Sequence, residues 1–284
     1  SRDRIRRRSR TLTRKVREDS PDESDADFKN KRPPDWGIDR LNLVPEDAAF
    51  LLGSGGRTKE KIARVSGAEV DIADKTCVLE IRGSRLARRK ASKYSTSIMA
   101  QRTGPVNVRE DADDGDLTML SIPTEAVGFV TGQGGNFLRA IEEEWGALMF
   151  FVDVDLSRGS RKAYERLAIY GDVRSRRGSE LKVLSAVETK VPGFLFSILD
   201  EVVNRDKYLD ETRSWGTDTM TFQNDELSYA LGKQGGTRRK LERSTGAVVQ
   251  YVGNIAIVSG TKDERCRARD YMKWLFEQLE GPVY

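Results

Sequence analysis

The chain has 284 residues, 37% hydrophobic and 33% charged, with a net charge of +4. That balance suits two or three small cores with large solvated surfaces rather than one big enzyme core. There is no histidine, and the two cysteines, Cys77 and Cys266, lie far apart without CxxC spacing, which removes Ser-His-Asp and Cys-His dyads and argues against zinc or a disulfide framework.

No apolar run reaches the ~18–20 residues that cross a bilayer, and the start of the chain lacks the apolar stretch of a signal peptide. A soluble intracellular protein is expected, with nucleus, cytoplasm and organelle left open. No catalytic activity, cofactor, metal site or small-molecule substrate is expected either. The chain opens at Ser1 rather than at a methionine, which reads as processing or trimming.

In chain order, residues 1–37 come first. Residues 1–18, "SRDRIRRRSRTLTRKVRE", carry nine Lys or Arg against two acids, and "DSPDESDAD" then adds five acids and no base. A basic block joined to an acidic one reads as a disordered arm. Its bland reading is a solvated tail. The favoured one has Arg4, Arg6, Arg7, Arg8 and Arg10 meeting a polyanion, because arginine-rich segments order on nucleic acid.

Residues 38–102 predict a strand, a short helix opening near Pro45 and Glu46, a glycine turn, a second helix, two strands ("AEVDI", "TCVLEIRG") and a closing helix. The linker 103–114 is polar, acidic and expected to be extended. Residues 115–190 repeat the pattern, with Pro123 at a strand end and Glu125 in the first helix. Segment 191–215 is too apolar for a tether. Phe194, Leu195, Ile198, Leu199 and Val202 fit one helical face that docks the flanking units together. Residues 216–284 give the pattern a third time, with a Gly253-Asn254 hairpin. In the last helix Ala268, Tyr271, Met272, Leu275 and Leu279 form a core stripe.

Around their glycine turns the three units align without gaps. "GSGGRTKEKIARVSGAEVDI", "GQGGNFLRAIEEEWGALMFF" and "GKQGGTRRKLERSTGAVVQY" each open on Gly-x-x-Gly. Each has an apolar residue nine positions after the first glycine (Ile62, Ile141, Leu241). A second glycine falls at fourteen (Gly67, Gly146, Gly246), followed by Ala. No copy supplies the GxxxxGK[ST] of a P-loop. A dinucleotide fingerprint needs a strand leading into the glycines, and here a helix does.

The repeat resembles the KH domain family in its type I order, β-α-α-β-β-α, three times over and across about three quarters of the chain. That resemblance implies an α+β fold of three tandem domains, each a three-stranded antiparallel sheet packed on three helices. It also implies a function. In the family, the GxxG loop clamps about four single-stranded nucleotides while bases lie in an apolar groove beside the second strand. Carried onto this sequence, the clamps are Gly53, Ser54, Gly55 and Gly56; Gly132, Gln133, Gly134 and Gly135; and Gly232, Lys233, Gln234 and Gly235.

Beside the first and third loops stand Arg57, Lys59 and Lys61, and Arg238, Arg239 and Lys240, read as phosphate contacts. The bland alternative is a solvated helix face. The second copy has Arg139 alone against Glu142, Glu143 and Glu144 and is expected to act as a spacer or protein-contact module. Its Phe137, Leu138 and Trp145 are expected to pack against a neighbour, with base stacking by Phe137 as the alternative. Its "SRGSRK" loop (157–162) is a further candidate for touching a backbone.

The sequence thus supports a single-stranded nucleic-acid binder, RNA before DNA, working with protein partners in a ribonucleoprotein. The rival is a scaffold subunit of a large ribonucleoprotein, such as an organellar ribosome or splicing assembly, in which the folds pack and the arm contacts RNA or protein.

Overall fold

The structure is a computed structural model that describes residues 32–73, 76–104, 106, 108, 115–152, 163–205 and 215–280. The first unit runs β1 (Gly37–Asn42), α1 (Pro45–Leu52), α2 (Arg57–Ser66), β2 (Glu69–Ala73), β3 (Val78–Gly83) and α3 (Arg85–Thr103). The second runs β4 (Leu117–Pro123), α4 (Thr124–Thr131), α5 (Asn136–Trp145), β5 (Leu148–Val152), β6 (Tyr164–Tyr170) and α6 (Val173–Lys190). Helix α7 (Phe194–Asn204) then leads to β7 (Gly216–Thr221), α8 (Asn224–Leu231), α9 (Gly236–Thr245), β8 (Val248–Val252), β9 (Ile255–Gly260) and α10 (Lys262–Glu280).

Each unit holds one antiparallel three-stranded sheet, with orders β1-β3-β2, β4-β6-β5 and β7-β9-β8. The repeated glycine at offset fourteen closes the second helix of every unit. Gly67, Gly146 and Gly246 sit in the left-handed region at φ 73°, 71° and 79°, where a Cβ would be strained. The alanine that follows is buried each time. The last helix starts on a side-chain cap: Ser84 Oγ accepts from Ala87 N at 3.2 Å, and Asp172 from Ser175 N at 2.8 Å. In the third unit Thr261 and Glu264 cap each other's backbone.

A further repeat is an arginine five residues after the glycine that ends or directly follows the last strand of each unit. Arg88, Arg176 and Arg265 turn back onto the carbonyls of Gly83, Gly171 and Gly260 at 2.7, 3.1 and 2.6 Å. They tie the closing helix to the sheet, and Arg88 and Arg265 also reach the equivalent aspartates of the first strand, Asp39 and Asp218.

The units are not beads on a string. Helices cover one face of each sheet, and in the second and third units the other face is covered by the unit before. Leu148, Phe150, Val152, Ala168 and Tyr170 of the second sheet belong to the apolar cluster of the first unit. Tyr94 of α3 meets Tyr170 with ring centroids 5.1 Å apart. Likewise Val248, Val252, Ile255 and Ile257 of the third sheet join the cluster of the second unit together with α7.

In α7, Phe194, Leu195 and Val202 are buried in that cluster, with Ile198 and Leu199 packed against it. The glutamate Glu188 of α6 caps the helix by accepting from Gly193 N and Leu195 N, both at 2.7 Å.

The outward face of the first sheet is charged instead, with Arg40 and Arg82 both on Glu80. It caps the stack as a polar end suits a repeat array.

The linker 103–114 departs from an extended tether at two places. Thr103 still belongs to α3, and Val106 is buried in the first unit's cluster. Just past it Asp116, itself buried, accepts from Lys93 Nζ at 2.6 Å and from Tyr94 Oη. One valine in a polar segment is enough to seat the chain. Residues 109–114, the arm 1–31 and the loop 157–162 lie outside the described residues.

Candidate nucleic-acid interface

The three glycine loops have one backbone. Their first glycines, Gly53, Gly132 and Gly232, have φ/ψ of 67°/179°, 70°/174° and 67°/175°. The fourth positions, Gly56, Gly135 and Gly235, are left-handed at φ 82°, 80° and 73°. The first glycine leaves no room for a side chain. A Cβ on Gly53 or Gly232 would overlap the hydroxyl of Thr58 or Thr237, and one on Gly132 would stand 2.8 Å from Phe137 Cβ.

The third position is also left-handed, at φ 64° in Gly55 and 57° in Gly134, and the third copy places Gln234 there at φ 53°. A glutamine in that region costs on the order of 1 kcal/mol. Space is open around this position in the two glycine copies.

Each loop hands over to a ten-residue helix whose N-terminal turn has no side-chain cap. Its first amides lack helical acceptors and the dipole presents its positive end there. Ser54, Gln133 and Lys233 stand exposed beside them.

The cations around these loops divide into two sets. Arg57, Lys233, Arg239 and Lys240 are exposed. Lys59 pairs with Asp71 at 3.1 Å, and that hydrogen bond holds the Asp71 carboxyl below the usual carboxylate range. Lys61 reaches across to the second unit and pairs with Glu142 at 2.5 Å.

Arg238 is a correction. Its side chain is buried, and Nη1 donates to Val249 O at 2.9 Å and Glu242 Oε1 at 3.1 Å. It supports β8 from within the fold rather than standing free beside the loop.

In the second unit Arg139 folds onto its own loop, donating to Gly134 O and to Asn136 Oδ1. Leu138 is buried in the cluster that the second unit shares with α7 and the third sheet, and Phe137 and Trp145 pack against it. The apolar residues of this helix are therefore core, and base stacking by Phe137 is set aside. Trp145 fills the space left by Gly178 of α6.

Two clefts lie near the first loop. One of about 250 Å³ lies between α1 and β2 and is lined by Pro45, Ala48, Leu52, Ile72 and Cys77. The other, about 560 Å³, runs between the first two units. Gly53, Ser54, Thr58 and Lys61 form one wall, Gly135, Arg139 and Glu142 the other. Two loops thus open onto one groove, which was not legible in a sequence read unit by unit. Among the described residues no cluster of His, Cys, Asp and Glu could hold a metal ion, and no helix is long and apolar enough to cross a membrane.

Comparison with solved structures finds Dim2p from Pyrococcus horikoshii OT3 at 18% identity, covering 58% of this chain and 98% of that one, with a TM-score of 0.25. An a/eIF2alpha-aDim2p-rRNA complex from the same organism matches at 18% identity, 61% and 95% coverage and a TM-score of 0.24. A protein of unknown function from Aeropyrum pernix matches at 16% identity, 61% and 95% coverage and a TM-score of 0.23. The family model for the KH domain matches residues 38–96 and 117–175. The first two units are thus KH-type α+β folds, and the third repeats their element order and sheet topology.

Proposed function

We propose that this chain is a non-catalytic single-stranded nucleic-acid binder, RNA before DNA, that holds the phosphate backbone on the glycine loops of its first and third units. The observation that carries this reading is the loop geometry. Three loops share one backbone conformation, expose no acidic side chain, and each opens onto an uncapped helix N-terminus. Exposed Arg57, Lys233, Arg239 and Lys240 supply salt-dependent attraction beside them. The preference for RNA rests on the KH resemblance of the units. The second unit works as the wedge that sets the spacing of its neighbours, and its own loop completes the groove it shares with the first.

A scaffold subunit of a ribonucleoprotein is the second reading. It is favoured by the pairing of Lys59 and Lys61 within the fold and by the continuous stacking of the units.

Two variants of the full chain separate the readings, assayed on labelled randomised single-stranded RNA at near-physiological salt. The first carries Ser54→Asp, Gln133→Asp and Lys233→Asp, all at the loop position with ordinary φ. The second replaces Arg4, Arg6, Arg7, Arg8 and Arg10 with Ser. A loss of about tenfold or more in the loop variant, with the arm variant binding nearly as the parent, supports the reader. Loss confined to the arm variant supports the scaffold.

A further inference from the structure

Three residues before the first glycine of every loop stands an aromatic side chain: Phe50, Phe129 and Tyr229. All three face solvent, at 41%, 51% and 38% exposure. Their neighbours on the same short helices, Ala48 and Leu51, Ala126 and Val130, and Ala230, are buried. The rings are therefore on the outward side of helices that are otherwise core. No other exposed large apolar side chain among the described residues recurs at one position in all three units. Folding does not call for a ring there, since exposing it forgoes the burial that would stabilise it.

We infer that Phe50, Phe129 and Tyr229 are stacking platforms for bases of a single strand whose backbone lies on the adjacent loops. This inference rests on the reading above and adds residues to it. Three helical residues rise about 4.5 Å along the axis, so a backbone on the loop brings its base within reach of the ring one turn earlier. Phe50 also lines the 560 Å³ groove that joins the first loop to the second, with Ile98, Leu138 and Phe151 among its apolar lining and Arg139 on its far wall. That volume falls in the range of ligand clefts, about 300–1,000 Å³. A flat apolar face beside free amides and exposed cations fits a nucleobase on its phosphate better than a protein side chain. Tyr229 is steadied by its hydroxyl, which donates to Gln278 Oε1 at 3.2 Å. Stacking tolerates any base, so these platforms add affinity without a sequence code.

The test uses the full chain and two labelled 12-mers of single-stranded RNA: one with randomised bases, one abasic with the same ribose-phosphate backbone. Each ring is changed separately to leucine (Phe50→Leu, Phe129→Leu, Tyr229→Leu), and a fourth chain carries all three changes. Leucine keeps an apolar side chain on an exposed helix position, so folding is preserved. The parent should prefer the base-bearing strand. Each variant should lose about five- to a hundredfold on that strand and bind the abasic one unchanged. The loop variant described above should instead lose both strands alike.

If the leucine variants keep the parent's affinity for the base-bearing strand while the loop variant loses it, the platforms are overturned and the loop reading survives. The rings then mark a protein contact. If the parent binds neither strand, both readings fail together.

Discussion

Lys61 on α2 of the first unit places its ammonium 2.5 Å from the carboxylate of Glu142 on α5 of the second, and the other oxygen of Glu142 accepts from Met149 N at 2.8 Å. Glu142 is buried and Lys61 only a quarter exposed. The pair therefore anchors two units and pins the start of β5. Removing the lysine strands a buried carboxylate, while replacing the acid by its amide keeps the bond to Met149 and removes the charge.

Lys61→Ala is accordingly expected to cost about 1–3 kcal/mol of unfolding free energy, and Glu142→Gln clearly less. Urea unfolding of the two single variants and the double measures this. The lysine change should cost little once Glu142 is already glutamine, and equal costs in both backgrounds would mean the ion pair is not formed.

Gly178 allows the closest approach in the second unit. A Cβ there would overlap the ring of Trp145, although the backbone itself is ordinary helix. Gly178→Ala is expected to destabilise by about 1–3 kcal/mol through overpacking. Trp145→Leu in the same chain should recover part of that loss in thermal unfolding, because it vacates the space. A purely backbone cause would show no recovery, and indeed alanine would then stabilise the helix.

How far the sequence speaks is clearest in the strands. "EVDIA" alternates, and β2 is buried on one face only; "LMFFV" and "VVQYV" do not alternate, and β5 and β8 are buried nearly throughout. The stacking of units was therefore written in the second strand of each copy, where continuous apolar runs mark sheets covered on both sides. Glycine spacing, closing helices and α7 follow from local pattern. What local pattern does not carry is the partner of a charge. Arg238 and Arg239 look alike in "GTRRKLE", yet one points inward to Val249 O and the other to solvent. Lys61 finds Glu142 only because two units meet.

Those two arginines should part in experiment. Arg239→Ala and Lys240→Ala should each weaken RNA binding and reduce the salt dependence by up to about one counterion per lost contact, leaving the melting temperature within a degree or two. Arg238→Ala should lower stability by about 1–3 kcal/mol, because a buried carbonyl and carboxylate lose their donor. Binding titrations across a salt series, beside melting curves, read both. An Arg238 variant that melts like the parent but binds with a reduced salt slope would return Arg238 to the phosphate path.

Glu242 gives a pH test with a definite sign. Burial pushes its carboxyl above a free glutamate's 4.5, and the pull of Arg238 and the Val249 amide does not fully offset that. The folded state therefore holds a proton that the unfolded chain has already released. By linkage, this residue's contribution is most favourable below the unfolded value, and stability falls as pH rises through the window from there to the raised folded value. Glu242→Gln keeps an acceptor for Val249 N and removes the charge. It should leave stability nearly unchanged in acid, raise it at neutral pH, and flatten the curve within that window. Urea midpoints measured across the acid limb test this. A variant less stable than the parent at neutral pH would mean that the ionised carboxylate's attraction to Arg238 outweighs its desolvation.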